Sequence, residues 1–411
     1  MRKPLLYTLA VLLLVLGGGF LLARFAFHLF SGTLTCNTWQ SMALAQPGGT
    51  NQFTSVALLS ANDVWLAGEN SPLGAQNRPM VEHWNGHTWQ TLFPLDPGAV
   101  GGSLDGIAAI SDSDVWVVGG TYTTPADFFP LAEHWDSHTW RLLPSFKLTD
   151  YHGFSKLTGV TALASDNVWA VGYAPGGGFT QTLVEHWDGS AWRRVPSPNV
   201  ADENNEFDNI SALSANDIWA VGTSHGYEGS QLTLTEHWDG SRWSIVQSPD
   251  PSRTANALLS VAAAWSNDVW AVGIMYPNLT SFTSAGGYKQ ARDPVYIGTE
   301  GLIEHWDGQK WQVVSFPKKG DHQVLLSVTA YSSQDVWAAG LFVVDDSQQG
   351  QVFHGLLLHW DGSAWHSMED PHAQYINNIA TSAARGLWSA GLTVPPRNSS
   401  VRQQAVVEAC S

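Results

Sequence analysis

From residue 54 onward the hydrophobic positions follow no helical period. They fall in short consecutive runs separated by polar turns, as in Ser55-Val-Ala-Leu-Leu59, Val64-Trp-Leu-Ala-Gly68, Met80-Val-Glu-His-Trp84 and Trp89-Gln-Thr-Leu92. Runs that are apolar at successive positions, rather than at alternate ones, suit short strands covered on both faces. Ser60-Ala-Asn-Asp63 and Asn85-Gly86 carry the residue types that turn a chain, glycine supplying a positive backbone angle in the second case. The pattern predicts four strands: 55–59, 64–68, 80–84 and 89–92.

The same pattern returns along the chain. Its first tryptophan falls at Trp65, Trp116, Trp169, Trp219, Trp270, Trp337 and Trp388. A second falls at Trp84, Trp135, Trp187, Trp238, Trp306 and Trp360, and a third at Trp89, Trp140, Trp192, Trp243, Trp311 and Trp365. A repeat of about 50 residues with four apolar runs is the period of one propeller blade. The expected fold is therefore all-β, a seven-bladed β-propeller of four-stranded blades. Its last copy stops after Gly386–Gly391 and Val406–Cys410, without a fourth strand, whereas Cys36-Asn-Thr-Trp39-Gln40 matches the start of a fourth strand. The amino-terminal strand should complete the last blade. That alignment sets Cys36 and Cys410, the two cysteines of the chain, across one hairpin, where a disulfide would lock the seam.

The residues that carry the pattern resemble the kelch repeat, in which a hydrophobic strand ends in glycine and a later tryptophan closes the blade; Val118-Gly119-Gly120 keeps the double glycine. The turn Trp-Asp-Gly-x-x-Trp is similar to a shortened Asp-box of sialidase-type propellers. The resemblance covers residues 36 to 410 and implies a propeller without fixing an activity.

Ahead of the repeats, Arg2 and Lys3 precede an uncharged run from Leu5 to Leu22. At about 1.5 Å per residue this run can span a bilayer core of about 30 Å. The flanking cations orient the remainder outward. Residues 1–30 are expected to be a cytoplasmic stub and a single transmembrane helix, with 31–411 an extracytoplasmic domain at the cell membrane. A cleaved signal peptide fits less well, because Arg24 occupies the position before Ala26 where a small residue belongs.

Charge and candidate chemistry then narrow the function. The net charge of −17 provides no basic stripe for phosphates, so nucleic acid is not an expected partner. Glu-His recurs at Glu82-His83, Glu133-His134, Glu185-His186, Glu236-His237 and Glu304-His305. Groups spread round a ring cannot converge on one ion, which makes these pairs structural and leaves no metal and no cofactor expected. Asp63, Asp114, Asp217, Asp268 and Asp335 read as turn locks, and the tryptophans as core.

Function should lie in what does not repeat. The connections between second and third strands, and between blades, are long and share one face. The longest runs from Tyr276 to about Gly301, and its Tyr276, Tyr288, Lys289, Arg292 and Tyr296 are the candidate ligand-binding residues. Tyr122, Tyr151, His152, Tyr173, His225 and Tyr227 are secondary candidates. The chain reads as a binding or scaffolding module for a protein or glycan rather than an enzyme. The alternative is a propeller glycoside hydrolase or lyase using acids such as Asp127, Asp202, Glu203, Asp293, Asp345 and Asp346.

Overall fold

The computed structural model describes residues 39–44, 49–94, 100–124, 127–143, 154–225, 230–276, 298–348, 350–370, 372–381, 386–393 and 404–410. The chain divides into Met1–Thr35 and Cys36–Ser411, and all described residues belong to the second part. The expected transmembrane segment and Cys36 lie outside the described residues. Among the described residues no helix is long and apolar enough to cross a membrane.

The described residues form 28 strands and no helix. Thr50–Ser60, Asp63–Ser71, Arg78–Trp84 and Trp89–Leu92 pair in that order as one antiparallel unit. Units with the same order begin at Gly101, Lys156, Asn204, Ala255 and His322. The last combines Tyr375–Thr381, Leu387–Thr393 and Gln404–Cys410 with Trp39–Met42 from the other end of the chain. Trp39 stands opposite Cys410 in that ladder, as the repeat alignment requires. Hydrogen bonding gathers the units into six sheets, because one parallel pair, Gln231 with Ala255, joins the fourth and fifth units. The fold is an all-β propeller.

The first two strands of a unit are longer than their apolar runs predict, and one device shapes both. Each innermost strand bulges by one extra residue, Thr54, Asp105, Thr158, Asp208, Leu259, Leu326 or Asn377, and the next residue, where pairing resumes, is small or polar: Ser55, Gly106, Gly159, Asn209, Ser260, Ser327 and Asn378. The repeated glycine of the second strand lies against this bulge. A Cβ on Gly222 would stand 2.0 Å from the carbonyl oxygen of Glu206, so only glycine lets the two backbones approach.

Innermost strands follow one another in a closed cycle, and their side chains bridge neighbouring units. Ser55 Oγ accepts the amide of Ile107 at 3.3 Å, Asn209 Oδ1 that of Val261 at 3.3 Å, Ser260 Oγ that of Val328 at 3.1 Å and Ser327 Oγ that of Ile379 at 3.2 Å. Thr158 Oγ1 donates to the carbonyl of Phe207 at 2.7 Å, and Lys156 pairs with Asp105 at 2.7 Å. Closure uses the same means: Asn378 Oδ1 accepts the amide of Val56 at 3.3 Å and Asn377 Nδ2 donates to the carbonyl of Phe53 at 2.9 Å.

Farther out, the seams are aromatic. Trp270 of the fifth unit meets Trp360 and Trp365 of the sixth, with ring centroids 5.0 and 5.3 Å apart, the second contact edge-on. Trp116 with Trp187 and Trp192, and Trp219 with Trp306 and Trp311, repeat the arrangement. Tilted and edge-on aromatic pairs each add about 0.5–1.5 kcal/mol beyond the area they bury. First tryptophans are buried, at 0% exposure for Trp65, whereas the second of each set is only half-buried.

Candidate functional site

The repeated polar residues are engaged in the scaffold. Asp63 Oδ1 accepts bonds from Trp65 Nε1 at 3.0 Å and from His83 Nε2 at 2.9 Å, joining the turn, the second strand and the third. Asp114, Asp268 and Asp335 hold the corresponding tryptophan and histidine in the same way. In the third unit Asn167 does so without charge. In the fourth, Asp217 keeps His237, while Trp219 Nε1 has no partner.

The Trp-Asp-Gly turns are equally occupied. Asp188 Oδ1 accepts the amides of Ser190 and Ala191 at 2.9 and 3.0 Å, and its neighbour Gly189 adopts a φ of 85°. These bonds, with the Ser190 hydroxyl and Arg193, hold the Asp188 carboxyl well below the ordinary carboxylate range. Asp136, Asp239, Asp307 and Asp361 are lowered by the same kind of bonding.

The axial cavity, about 250 Å³, runs between the innermost strands and is lined by the residues that follow the bulges and their neighbours. Toward the end where the long connections lie, the second, third and fourth units present side chains that do not repeat. Lys156 Nζ reaches Asp105 at 2.7 Å and donates to Ser103 Oγ at 3.2 Å. Across the ladder from Lys156 stands Tyr173. Burial and then the carboxylates of Glu206, Asp105 and Asp208 push its phenol above the ordinary range. Glu206 is itself raised to about 7, first by burial and then by Asp208. His225, opposite Asn204, is lowered by burial, an effect that Glu203 opposes. Its Nδ1 and Glu203 Oε2 are buried without hydrogen-bond partners. Asp105, Glu206 and Asp208 around Tyr173, with Lys156 paired to Asp105, make this a partly buried acidic patch.

Tyr276 ends Asp268–Tyr276 and is 3% exposed, packed with Ala255, Ile274, Val324 and Tyr375. Its ring belongs to the core, a correction to its place among the ligand-binding candidates: the strand extends three residues past Gly273, where the repeat's apolar run ends, so the tyrosine remains inside. Tyr288, Lys289, Arg292 and Tyr296 lie outside the described residues, as do Tyr151, His152, Tyr227 and Asp293. Tyr122 donates to Gln76 Oε1 at 3.1 Å, bridging the first and second units. Of the candidate acids, Asp202 and Glu203 precede the fourth unit, whereas Asp345 and Asp346 end the second strand of the sixth. Sequence reasoning passed over Asp105, Lys156, Glu206 and Asp208, which sit on innermost strands and not in loops. Their signal was charge at positions where the other units carry Ala257 or Leu259 and Val324 or Leu326.

No protein-family model matches the chain, and no curated protein matches it. Solved structures do. One of YCF48 bound to D1 peptide is 13% identical with a TM-score of 0.55, over 92% of this chain and 99% of that one. A catalytically inactive virginiamycin B lyase from Staphylococcus aureus with quinupristin is 12% identical with a TM-score of 0.54, over 91% and 99%. The WD40 β-propeller domain of Doa1 is 9% identical with a TM-score of 0.51, over 91% and 97%. At such identities these likenesses bear on architecture alone, and what they identify is a β-propeller.

Proposed function

We propose that the chain is a membrane-anchored, extracytoplasmic propeller that binds a basic segment of a partner protein on its long-loop face. The acidic patch of Asp105, Glu206 and Asp208 around Tyr173 carries this reading. A chain of net charge −17 attracts cationic partners over distance, and partly buried carboxylates beside a tyrosine hold them at short range. Tyr288 and Tyr296 are proposed as further aromatic contacts, whereas Lys289 and Arg292 would repel a basic segment and would serve instead to meet any acidic residue flanking it. The structure of YCF48 bound to D1 peptide is a precedent for peptide binding on this fold.

Several finer features belong to the same proposal. We count the halves of the eight-stranded sheet as separate blades, giving seven, of kelch-like type. The single-pass helix within residues 1–30 anchors the propeller. A disulfide from Cys36 to Cys410 closes its seam; the pairing of Trp39–Met42 with Gln404–Cys410 supports it, as does the absence of a free cysteine among the described residues. The full-length chain with Cys36→Ser should then go from no reactive thiol to one and unfold at a lower temperature, and two thiols in the denatured native sequence, falling to one in the variant, would refute the bridge.

Binding is tested with the full-length chain in detergent, titrated with lysine-rich, acidic and neutral peptides and with a glycan panel. The lysine-rich peptide should bind, weaken as salt rises, and lose affinity with Glu206→Gln or Asp208→Asn. Binding of a glycan alone would overturn the peptide reading. The alternative, a glycoside hydrolase, is favoured by one observation: Glu206 and Asp208 sit two residues apart on one strand, the first raised to about 7 as a general acid would be. Hydrolysis of a bound glycan, lost in Glu206→Gln, would establish it.

A further inference from the structure

The sixth unit ends at Asp370, and the seventh carries Glu408 in its third strand, paired with Ser389 on one side and Ser41 on the other. Here the repeat is broken. Where the other units follow their third-strand Glu or Leu with a histidine, the seventh has Ala409, and Gly386 replaces the turn acid that would hold it. Histidine arrives instead from the connection between the sixth and seventh units.

We propose that Asp370, His372 and Glu408 form a binding site for a divalent transition cation of the zinc or manganese class. One ligand atom from each residue lies within 4.8 Å of the others, the only such cluster among the described residues. Asp370 is 4% exposed and Glu408 0% exposed, and Asp370 Oδ2 and Glu408 Oε2 are both buried with no donor group beside them, the two carboxyls facing one another. A buried carboxylate oxygen left unpaired costs free energy that a cation would offset.

Local geometry holds the donors in place. Asp370 Oδ1 accepts the amides of His372 and Ala373, each at 2.8 Å, which shapes the turn and leaves Oδ2 facing inward. The Gly355 amide donates to the Ala373 carbonyl at 3.1 Å and ties this turn to the sixth unit. His372 Nδ1 contacts Glu408 Oε1. Its ring is half exposed, so it can withdraw to admit an ion at the usual metal–nitrogen distance of about 2.0–2.1 Å and leave an open side for water. One imidazole and two carboxylates suit zinc or manganese, whereas calcium takes six to eight oxygens. A bound cation would neutralise the two buried carboxyl groups that meet here. Its effect would be to clamp the sixth unit to the seventh beside the strand that closes the ring.

The test uses the full-length chain, stripped of metal by chelator and dialysis, and titrated calorimetrically with zinc, manganese and calcium chlorides. We expect one equivalent of zinc or manganese, proton release and a higher unfolding temperature. His372→Ala should weaken binding by about tenfold or more, and the metal-induced rise in unfolding temperature should be lost relative to the variant's own metal-free value, which the loss of the contact with Glu408 Oε1 lowers. Asp370→Asn should weaken binding similarly. Uptake that is indifferent to His372→Ala would place the ion on other histidine–aspartate pairs and overturn the proposal. So would no uptake combined with an alkaline loss of stability that Glu408→Gln abolishes, since the cluster would then be two carboxyls sharing a proton.

Discussion

The imidazole of His83 lies flat on the indole of Trp65, ring centroids 3.8 Å apart and planes 15° apart. The same stack recurs between Trp270 and His305 at 4.2 Å, with Asp268 accepting from both rings at 2.9 and 2.7 Å. Because Asn167 performs this task in the third unit, an acceptor is required there and a charge is not. Asp268→Asn should change stability by less than about 1 kcal/mol. Asp268→Ala, which orphans two buried donors, should cost about 2–3 kcal/mol. Equal losses for the two variants in thermal unfolding would show that the carboxylate charge matters.

Much of this scaffold was readable before any coordinates. Three tryptophans per repeat, the turn residues and the split last copy specified the strands and the closing role of Trp39–Met42. The lining of the axial cavity was not readable, because its positions hold Ser55, Gly106, Asn209 or Asn378 according to the unit, and their shared property is a place just after the bulge and not one residue type. The acidic patch was hidden for a related reason. Attention went to loops, whereas Asp105, Glu206 and Asp208 lie at innermost-strand positions whose exposure depends on the neighbouring unit. Glu408 was masked by its five repeat counterparts, and only Ala409 beside it marked the seventh copy as different.

Backbone geometry gives a prediction of opposite signs at two positions. Gly222→Ala would drive a Cβ into the Glu206 carbonyl and should cost about 2–4 kcal/mol. Ser137, by contrast, holds a φ of 75° where the other turns use glycine. Ser137→Gly should stabilise the chain by about 0.5–1 kcal/mol, through relief of backbone strain. The paired unfolding temperatures check both, and destabilisation by Ser137→Gly would mean that its hydroxyl contact with His138 Nδ1, at 2.7 Å, outweighs the strain.

Stability should peak in mild acid. Burial raises Glu236 and Glu304 from 4.5 to about 9, so between these values the folded chain holds protons that the unfolded chain has released. Their contribution is complete below pH 4.5 and is lost as pH rises toward about 9, with a slope of about 1 kcal/mol per pH unit for each group. Asp239 acts in the opposite sense. Its bonds to Ser241 and to the Arg242 amide lower it from 3.8 to about 2, and the stability it gives is lost as pH falls through that range. The unfolding temperature should therefore be highest at about pH 4 to 5. Glu236→Gln should flatten the alkaline limb, and an unchanged slope would show that this carboxyl is ionised in the fold.

Closure of the ring rests on Asn377 and Asn378 beside the shared strand. Asn378 accepts the Val56 amide and Asn377 donates to the Phe53 carbonyl, the two bonds lying on adjacent residues of one innermost strand. Removing both with Asn377→Ala and Asn378→Ala should cost about 2–3 kcal/mol, since each leaves a backbone group of the first unit unpaired. Ser327→Ala, at the seam between the sixth and seventh units, breaks one such bond and should cost about 1 kcal/mol. Location distinguishes the two experiments more than magnitude does. Hydrogen exchange in the double variant should quicken first in Thr50–Ser60 and Tyr375–Thr381, because the two lost bonds join these innermost strands of the first and last units. Exchange that quickens evenly around all units would mean that the propeller opens as one cooperative body and that the closing seam is no weaker than the rest.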